Sequence, residues 1–403
     1  MIEEFDMKLL QEYSRKYFNS SKAQKSKILD EYMSLCHLTK RNTAVKRFER
    51  FRYSSNNGRQ FIKKPGRPKK YGSLEIEILK TIYYMSDFIC AERLYPVLRL
   101  FVSQLEANDK DFKFKYPADV VERVLNISLG SLKRIISGFE KPKKKRCHLS
   151  NSMLWKDIPV VANSYHKYTD DITASACDLV EHKGENSSGI YAITYVNVHF
   201  YSQWITRISA LGKDRTAIEE IYSKLLSSNP LYKYGIVKKS HQDNEKALLS
   251  YLYHKTNLEL SRSRAYKSNV THLVEQKNGD KVRNIVGRFR YDTDWEVELL
   301  NKIWEISDLI DNFFIPSHKI ISRIKDDKGR TVKKIYDTPK TPYQRLMESK
   351  DMPDEIKKEL TMTFNSLNLV DLRKKQIELR NELMWFKKRK RLALKNYQVE
   401  LVA

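Results

Sequence analysis

The sequence has 403 residues, of which 41% are hydrophobic and 11% aromatic, so it can bury the cores of about two to four domains. Its 75 Lys and Arg against 50 Asp and Glu give a net charge of +25, which favours a polyanionic partner such as nucleic acid. No apolar run is long enough to cross a membrane, the acidic N-terminus lacks the pattern of a signal peptide, and the four cysteines form no CxxC pair. We therefore expect a cytoplasmic protein with reduced thiols and no membrane association.

Residues 1–60 have the pattern of a helix-turn-helix DNA-binding unit. A helical segment with an apolar face ends near Cys36, and after a short break Thr39 opens a second, strongly basic helix. The start of the second helix is where such a unit meets DNA. The polar residues predicted to do so are Lys40, Arg41, Asn42 and Lys46. A plain helical hairpin is the alternative interpretation.

The segment 61–72, FIKKPGRPKKYG, predicts a basic linker. Pro65 and Pro68 are incompatible with a helix, and Arg67 and Lys69 lie among closely spaced cations. A Gly-Arg-Pro core can lie extended in the minor groove of A·T-rich DNA, in the manner of an AT-hook. A solvated linker is the alternative, and the two roles are compatible.

Residues 73–146 predict a second helical DNA-binding domain. Helically spaced apolar residues fill its first half, and Pro117 then starts a helix that a short break separates from another helix after Ser128. On that last helix, Lys133 and Arg134 are the predicted DNA contacts. The cluster KPKKKR, with five cations in six residues, marks the boundary to the next domain.

Residues 165–315 predict a mixed α/β core. Ile172–Val180 has the composition of a buried strand, and it carries one acid, Asp178, near its end. Two more apolar strands, a helix over Thr216–Ser227, a short strand at Tyr234–Val237, another helix and a further strand follow. This order is that of an RNase H-like fold with a mixed sheet. On that scaffold, two-metal phosphoryl transfer uses a strand acid and a helix acid far downstream.

The stretch 258–289 supplies the helix acid. Leu258–Ser261 alternates apolar and polar residues like a strand, Arg262–Asn269 is a basic loop, and an amphipathic helix begins near Thr271 with Glu275 one turn in. Several cations follow this acid, and a carboxylate among cations suits a metal ion that faces a phosphate. An ordinary solvated helix is the alternative.

Residues 316–403 predict a basic C-terminal region. Lys328–Lys334 is predicted to be a β-turn or loop that contacts phosphates. Asp371–Gln398 has ten Lys and Arg against three acids and predicts a long basic helix. That helix could lie on DNA or pair with a second protomer through its apolar residues, Leu372, Ile377, Leu379, Leu383 and Trp385.

The amino-acid sequences of several segments resemble those of a known family. SRSRAYKSN followed by HLVEQKNGDKVR is similar to the third-acid segment of bacterial DDE transposases with a retroviral-integrase-type catalytic domain, which usually read RSRPYKKND and VEQKN. DLVEHKGENSSGIY resembles their first-acid segment, usually DLVEHCGG. LLNKIWEISDLIDNFFIPSHKIISR and KKIYDTPKTPYQRLMES resemble the segments after their catalytic core. The resemblance extends from about Lys25 to Ser349.

The resemblance implies an active site in which carboxylates hold two Mg²⁺ ions. Asp178 takes the first-acid role and Glu275 the third. The family reads Gly-Ile-x-Ser-Asp-Asn at the second acid, where this chain reads GIVKKSHQDNEKALL. An alignment without gaps places Lys239 there, and a charged lysine does not ligate a dication. Asp243, followed by Asn244, reproduces the Asp-Asn pair if the next helix is four residues shorter, and we predict Asp243 as the second acid.

The resemblance further implies a transposase of a bacterial insertion element, working in the cytoplasm at the nucleoid. It would bind the terminal repeats as a homo-oligomer, cleave the element ends, and join them to target DNA (DNA integration and recombination). The predicted phosphate contacts near the third acid are Arg262, Arg264, Lys267 and Lys277. The alternative is a catalytically degenerate, transposase-derived DNA-binding protein, in which Lys239 replaces the second acid.

Overall fold

The structure, a computed structural model, describes residues 2–57, 70–139, 167–242, 246–262, 274, 277–325 and 331–400. The chain divides into two compact units, with the boundary between residues 70 and 71. Within the described part, no helix is long and apolar enough to span a membrane.

The N-terminal unit contains three helices, α1 (Ile2–Phe18), α2 (Lys22–Leu35) and α3 (Arg41–Asn57). Its core is aromatic: the Tyr32 and Phe48 rings are both buried, and their centroids lie 4.7 Å apart. Stacked and tilted aromatic pairs bury a large area for a small unit. The sequence predicted the second and third of these helices and the break between them.

The second unit begins with short helices that pack around a common apolar core. They are α4 (Ser73–Met85), α5 (Ala91–Leu94), α6 (Leu98–Asn108), α7 (Phe112–Lys115), α8 (Ala118–Leu125) and α9 (Leu129–Ser137), with a 3₁₀ turn at Tyr95–Val97. Three residues separate α8 from α9, and Ser128 caps α9 by accepting a hydrogen bond from the Ser131 amide at 3.3 Å. Their core continues into that of the sheet, so the two regions form one body.

A five-stranded mixed sheet forms the centre of the second unit. Its strands are β1 (Ala174–Glu181), β2 (Ala192–His199), β3 (Ile205–Leu211), β4 (Lys239–Gln242) and β5 (Glu259–Arg262). Their order is β3-β2-β1-β4-β5, with β1 to β3 antiparallel and with β4 and β5 parallel to β1. The predicted mixed sheet is therefore confirmed.

Helices connect and cover the strands. They are α10 (Arg215–Ser228), α11 (Pro230–Lys233), α12 (Lys246–Lys255), a π-helical segment (Asn278–Arg283), α13 (Asn284–Val286) and α14 (Asp294–Phe313). Thr293 and Glu296 form a capping box that fixes the start of α14, with the Glu296 amide donating to the Thr293 hydroxyl at 3.3 Å.

Two local predictions are wrong. The strand predicted at Tyr234–Val237 lies instead at β4, because Pro230 starts a helical turn and Gly235 adopts a positive φ of 64° that breaks the extended chain. Arg262, placed in a basic loop by its sequence context, is the last residue of β5 and is buried, since pairing with Gln242 of β4 extends the strand that far.

Side chains of α14 form hydrogen bonds with the backbone groups along the outer edge of β3. The Asn312 amide oxygen accepts from the Ile205 N–H at 2.8 Å, and its amide nitrogen donates to the Ile205 carbonyl at 2.8 Å. Asn301 makes the same pair with Ser209, at 2.7 and 3.0 Å, and the Asp308 carboxylate accepts from the backbone of Arg207 at 3.0 Å. Three side chains of one helix thus replace a neighbouring strand.

The C-terminal region begins with a two-stranded ribbon and ends in helices. The elements are β6 (Ile320–Lys325), β7 (Thr331–Tyr336), α15 (Pro342–Glu348), α16 (Asp354–Ser366) and α17 (Leu369–Glu400). The predicted long basic helix is therefore present as α17. The loop predicted at Lys328–Lys334 is strand from Thr331 onward, because β6 pairs with that part of the chain; its first three residues lie outside the described part.

Helix α17 lies along α14 and buries much of its apolar face in its own chain. Leu383 is fully buried, and Leu372 and Leu379 pack against the cores. Ile377 and Trp385 remain about half exposed. Of the apolar residues predicted to meet a second protomer, three are therefore occupied within the chain.

Candidate functional site

Asp178 lies near the end of β1, on the face of the sheet that Ala176 and Val180 share. The alternation of β1 directs these residues toward the core beneath the π-helical segment and α14. One Asp178 carboxylate oxygen accepts from the Leu179 N–H at 2.8 Å, and the other accepts from the Asn278 amide at 2.6 Å. The carboxylate is half-buried, so both solvent and the helical segment reach it.

The register of β4 bears on the choice of second acid. Lys239 pairs with Ala174, and Gln242 pairs with Cys177. The next residues along the two strands are Asp178 and Asp243. Asp243 itself lies outside the described residues.

Lys239 occupies the opposite end of β4 from Asp178. Asp178 lies four positions after its partner Ala174, which corresponds to about 13 Å along a strand. The Lys239 ammonium donates to the Asp171 carboxylate at 2.8 Å, and this hydrogen bond raises the pKa of Lys239. Lys239 therefore serves a structural ion pair and leaves the surroundings of Asp178 free of its charge.

Glu275 also lies outside the described residues, but the helical residues on both sides of it, Val274 and Lys277, are described. Asn278, three residues after Glu275, contacts Asp178 directly. Sequence reasoning missed this residue. The available signal was its spacing, since an amide one turn after a helix acid shares that acid's face.

The residues present fit a hard cation. The amide oxygen of Asn278 is buried beside Asp178 and has no hydrogen-bond partner among the described residues, which leaves an oxygen acceptor at the site. Within the described part, no three His, Cys, Asp or Glu side chains come close enough to hold a metal ion. A complete carboxylate set would need Asp243 and Glu275.

Two predicted phosphate contacts near the site are described. Arg262 is buried at the end of β5. Lys277 is half-buried; burial and the neighbouring cations Lys281 and Arg93 lower the pKa of Lys277 to about 7. Arg264 and Lys267 lie outside the described residues, and for all four a DNA contact stays a prediction.

The predicted DNA-binding residues of the helical regions have varied surroundings. In the N-terminal unit, Lys40 and Asn42 are exposed, whereas Arg41 forms a fork with the Asp30 carboxylate, 3.0 Å from Nε. On α9, Lys133 pairs with Glu92 at 2.8 Å, and Arg134 donates to the backbone of its own helix. The linker residues Arg67 and Lys69 lie outside the described part. Their DNA contacts also stay predictions.

A buried ionic network holds the helical segment that carries Asn278. The Arg207 guanidinium of β3 donates to Asp308 and Asp311 of α14, both at 2.7 Å, and to the Lys281 carbonyl at 2.5 Å. The Lys281 ammonium donates to Asp311 at 2.5 Å. Burial raises the pKa of Asp311, but the charges of Lys281 and Arg207 outweigh it and hold that pKa well below its usual range.

Comparisons with known proteins give one sequence relative and distant structural neighbours. No model of a known protein family matches the sequence. An uncharacterized protein of Sinorhizobium fredii, y4rM, is 24% identical over 346 residues, covering 84% of this chain and 93% of the relative.

The structural neighbours include retroviral integrases. A simian T-cell lymphotropic virus intasome chain is 12% identical with a TM-score of 0.29, covering 59% of this chain and 72% of that one. The catalytic core domain of BIV integrase is 10% identical with a TM-score of 0.24, covering 43% and 92%. TM-scores this low carry no argument about function.

Proposed function

We propose that this chain is a DNA-cleaving and strand-joining enzyme of the integrase and transposase kind. Asp178, Asp243 and Glu275 would form its active site. The observation that carries the proposal is the pairing of β1 with β4: the two strands are in register up to Cys177 and Gln242, and an aspartate follows each of them. The family-like third-acid segment joins the same place through the contact of Asn278 with Asp178.

The proposed chemistry is in-line transfer at phosphorus. In cleavage, water attacks a phosphorus atom, the P–O3′ bond breaks, and a 3′-hydroxyl and a 5′-phosphate result. In joining, that 3′-hydroxyl attacks a phosphorus of target DNA, and a strand of the target leaves with its own 3′-hydroxyl. Two bound Mg²⁺ ions would assist deprotonation of the nucleophile and neutralise charge at the leaving oxygen. They would be held by the three carboxylates.

The protein's own residues would prepare this site. Asn278 holds the Asp178 carboxylate in one orientation, and its buried amide oxygen offers a further acceptor. The network around Arg207 fixes the segment of Asn278 to the sheet. The net charge of +25 favours accumulation of DNA around the chain. The insertion-element origin, the terminal repeats as partner and a homo-oligomeric assembly belong to the same proposal.

The position of Lys239 supports the choice of Asp243 as second acid. In the gap-free alignment Lys239 replaced the second acid, but its ammonium pairs with Asp171 and its strand position is remote from Asp178. A β4 register that ends beside Cys177 favours Asp243 over Lys239 for this role.

The test is nicking and strand joining on supercoiled plasmid and labelled duplex DNA with Mg²⁺ or Mn²⁺. We expect Asp178→Asn, Asp243→Asn and Glu275→Gln each to reduce turnover by at least about 100-fold while DNA affinity is retained. Lys239→Met is the matched control; it should keep turnover within a few-fold of the unsubstituted protein.

Two outcomes would overturn the proposal. Turnover that is retained in Asp243→Asn but lost in Lys239→Met would show that Asp243 is not the second acid. Tight DNA binding by the unsubstituted protein without any metal-dependent nicking would favour the DNA-binding alternative.

A further inference from the structure

The ribbon of β6 and β7 stands apart from the central sheet. Its strands pair with each other, Arg323 opposite Lys334 and Ile324 opposite Lys333, and join no further strand among the described residues. A two-stranded hairpin gains little stability alone, and natural ones usually pack one face on a core. The apolar residues of this ribbon point instead to solvent.

The base of the ribbon is rigidly held. The Arg345 guanidinium donates to the Asp337 carboxylate at 2.7 Å and to the Ser317 carbonyl at 2.8 Å. The other Asp337 oxygen accepts from the Lys319 N–H at 2.6 Å, and the Lys319 ammonium donates to the Thr169 carbonyl at 2.7 Å. The direction in which the ribbon projects is therefore fixed before any partner binds.

Exposed aliphatic side chains share the ribbon with its cations. Between the two register shifts, Ile324, Lys333 and Ile335 lie on one face and Arg323 and Lys334 on the other, while Val332 lies at a register shift, where strict alternation does not hold. Val332 is 70% exposed and Ile335 is 40% exposed. Aliphatic exposure of this extent on a fixed projection indicates a surface that is covered in the working state.

The cations of the ribbon indicate the kind of partner that covers its surface. Arg323 and Lys334 lie directly opposite each other across the strands, an arrangement of like charges that destabilises a ribbon on its own. Among the described residues, no carboxylate lies within ion-pair distance of Arg323, Lys333 or Lys334, and both lysines are exposed. The Arg323 Nε is buried and lacks an acceptor among the described atoms. An anionic partner would relieve all of these features together.

We propose that the β6–β7 ribbon is a DNA-binding element that lies in the major groove of duplex DNA. A groove about 12 Å wide admits a two-stranded ribbon. Arg323, Lys333 and Lys334 then contact phosphates on the groove walls, and the aliphatic side chains meet base edges, where thymine methyl groups offer apolar contact. This inference rests on the proposed function in that duplex DNA is the substrate.

The experiment measures the affinity of the full-length chain for a labelled duplex across a series of salt concentrations. The variant is Arg323→Gln with Lys334→Gln. The slope of log K against log salt is negative, and each lost phosphate contact reduces its magnitude by about 0.9. We therefore expect the magnitude of the slope to fall by about 1.8. Val332→Ser should weaken binding and leave the slope unchanged, since it removes an apolar contact without charge.

The matched control is Lys224→Gln with Lys302→Gln. It removes the same charge from two exposed lysines that pair with glutamates one turn away on their own helices. We expect this control to keep the slope of the unsubstituted protein. Thermal unfolding of all variants verifies that the fold is retained.

An unchanged slope in the Arg323 and Lys334 variant overturns the proposal. Loss of self-association in Val332→Ser with unchanged DNA affinity also overturns it and assigns the ribbon to a second copy of the chain. The failure of the proposed chemistry is distinguishable: a fall in slope without any nicking by the unsubstituted protein would leave the ribbon as a DNA-binding element and refute catalysis. Nicking that requires Asp178, Asp243 and Glu275, together with an unchanged slope, would support catalysis and refute the ribbon as a DNA-binding element.

Discussion

Replacing Arg207 by Met should destabilise the second unit strongly. The Arg207 side chain is fully buried, and its guanidinium holds two carboxylates and a backbone carbonyl at 2.5 to 2.7 Å. Met has a similar length but leaves the buried Asp308 carboxyl, whose pKa burial raises to about 7, without its cation. Removing one partner of a buried ion pair costs roughly 3–5 kcal/mol. With about 2.1 cal/mol/K of unfolding entropy per residue, 1 kcal/mol shifts the melting temperature of a unit that spans residues 71–403 by about 1.4 °C, so the melting temperature should fall by roughly 4–7 °C.

The cause of the loss can be separated from lost packing. Adding Asp308→Asn to Arg207→Met removes the carboxylate that has lost its cation. The amide oxygen introduced at position 308 can still accept the hydrogen bond from the backbone N–H of residue 207. The double variant should therefore be more stable than Arg207→Met alone by at least about 1 kcal/mol. Lys302→Met, which breaks an exposed helical pair with Glu298, serves as control and should cost less than about 0.5 kcal/mol.

The assay is urea unfolding at pH 7 followed by circular dichroism, with calorimetry for the melting temperatures. Arg207→Met within about 1 kcal/mol of the unsubstituted protein would refute the reasoning, because a buried charge network would then contribute little. A double variant less stable than the single one would refute the assignment of the cost to Asp308.

Three further predictions concern other parts of the second unit. Burial lowers the pKa of His199 to about 4, below an unfolded value near 6.5, so the stability that depends on neutral His199 is full above pH 6.5 and is lost, by up to about 3 kcal/mol, as pH drops toward 4. His199→Gln should make urea-derived stability less steep over that window, while His182 and His241 keep part of the pH dependence. Gly287→Ala should cost about 1–3 kcal/mol in thermal unfolding, because φ is +81° and a Cβ would collide with the Phe289 ring. Asn312→Leu should cost about 2–4 kcal/mol and raise the aggregation rate measured by light scattering, since Ile205 loses both backbone partners.

The parts of the fold that the sequence predicted are those with long, one-sided patterns. Strands β2 and β3 are rich in β-branched residues, β1 is a run of mainly small and apolar residues, and α17 is a long, strongly basic stretch without Gly or Pro, so all four could be assigned from local sequence. Strand β4 could not, because Lys239–Gln242 is polar throughout. It is a strand since parallel partners on both sides bind its backbone.

The candidate site shows the same division. Asp178 was assigned from its strand context and from the wording around it. Asn278 and Arg207 were missed, because their partners lie 74 to 104 residues away in the chain and nothing local marks such pairs. The choice between Lys239 and Asp243 depends on the register of β4 against β1. An insertion or deletion of a few residues changes that register, and local sequence composition does not show it.

The outer edge of β3, bound by side chains of α14, limits how copies of this chain can assemble. An open edge strand accepts an incoming strand, which is the usual route to continuous sheets between subunits and to amyloid-like stacking. With Asn301, Asp308 and Asn312 bound to both backbone groups of Ile205 and Ser209 and to the N–H of Arg207, β3 offers few backbone groups to an incoming strand. A strand from another copy would have to displace α14 itself. On this side of the molecule, α14 blocks growth of the sheet, so two copies of this chain cannot fuse through β3 into a shared sheet.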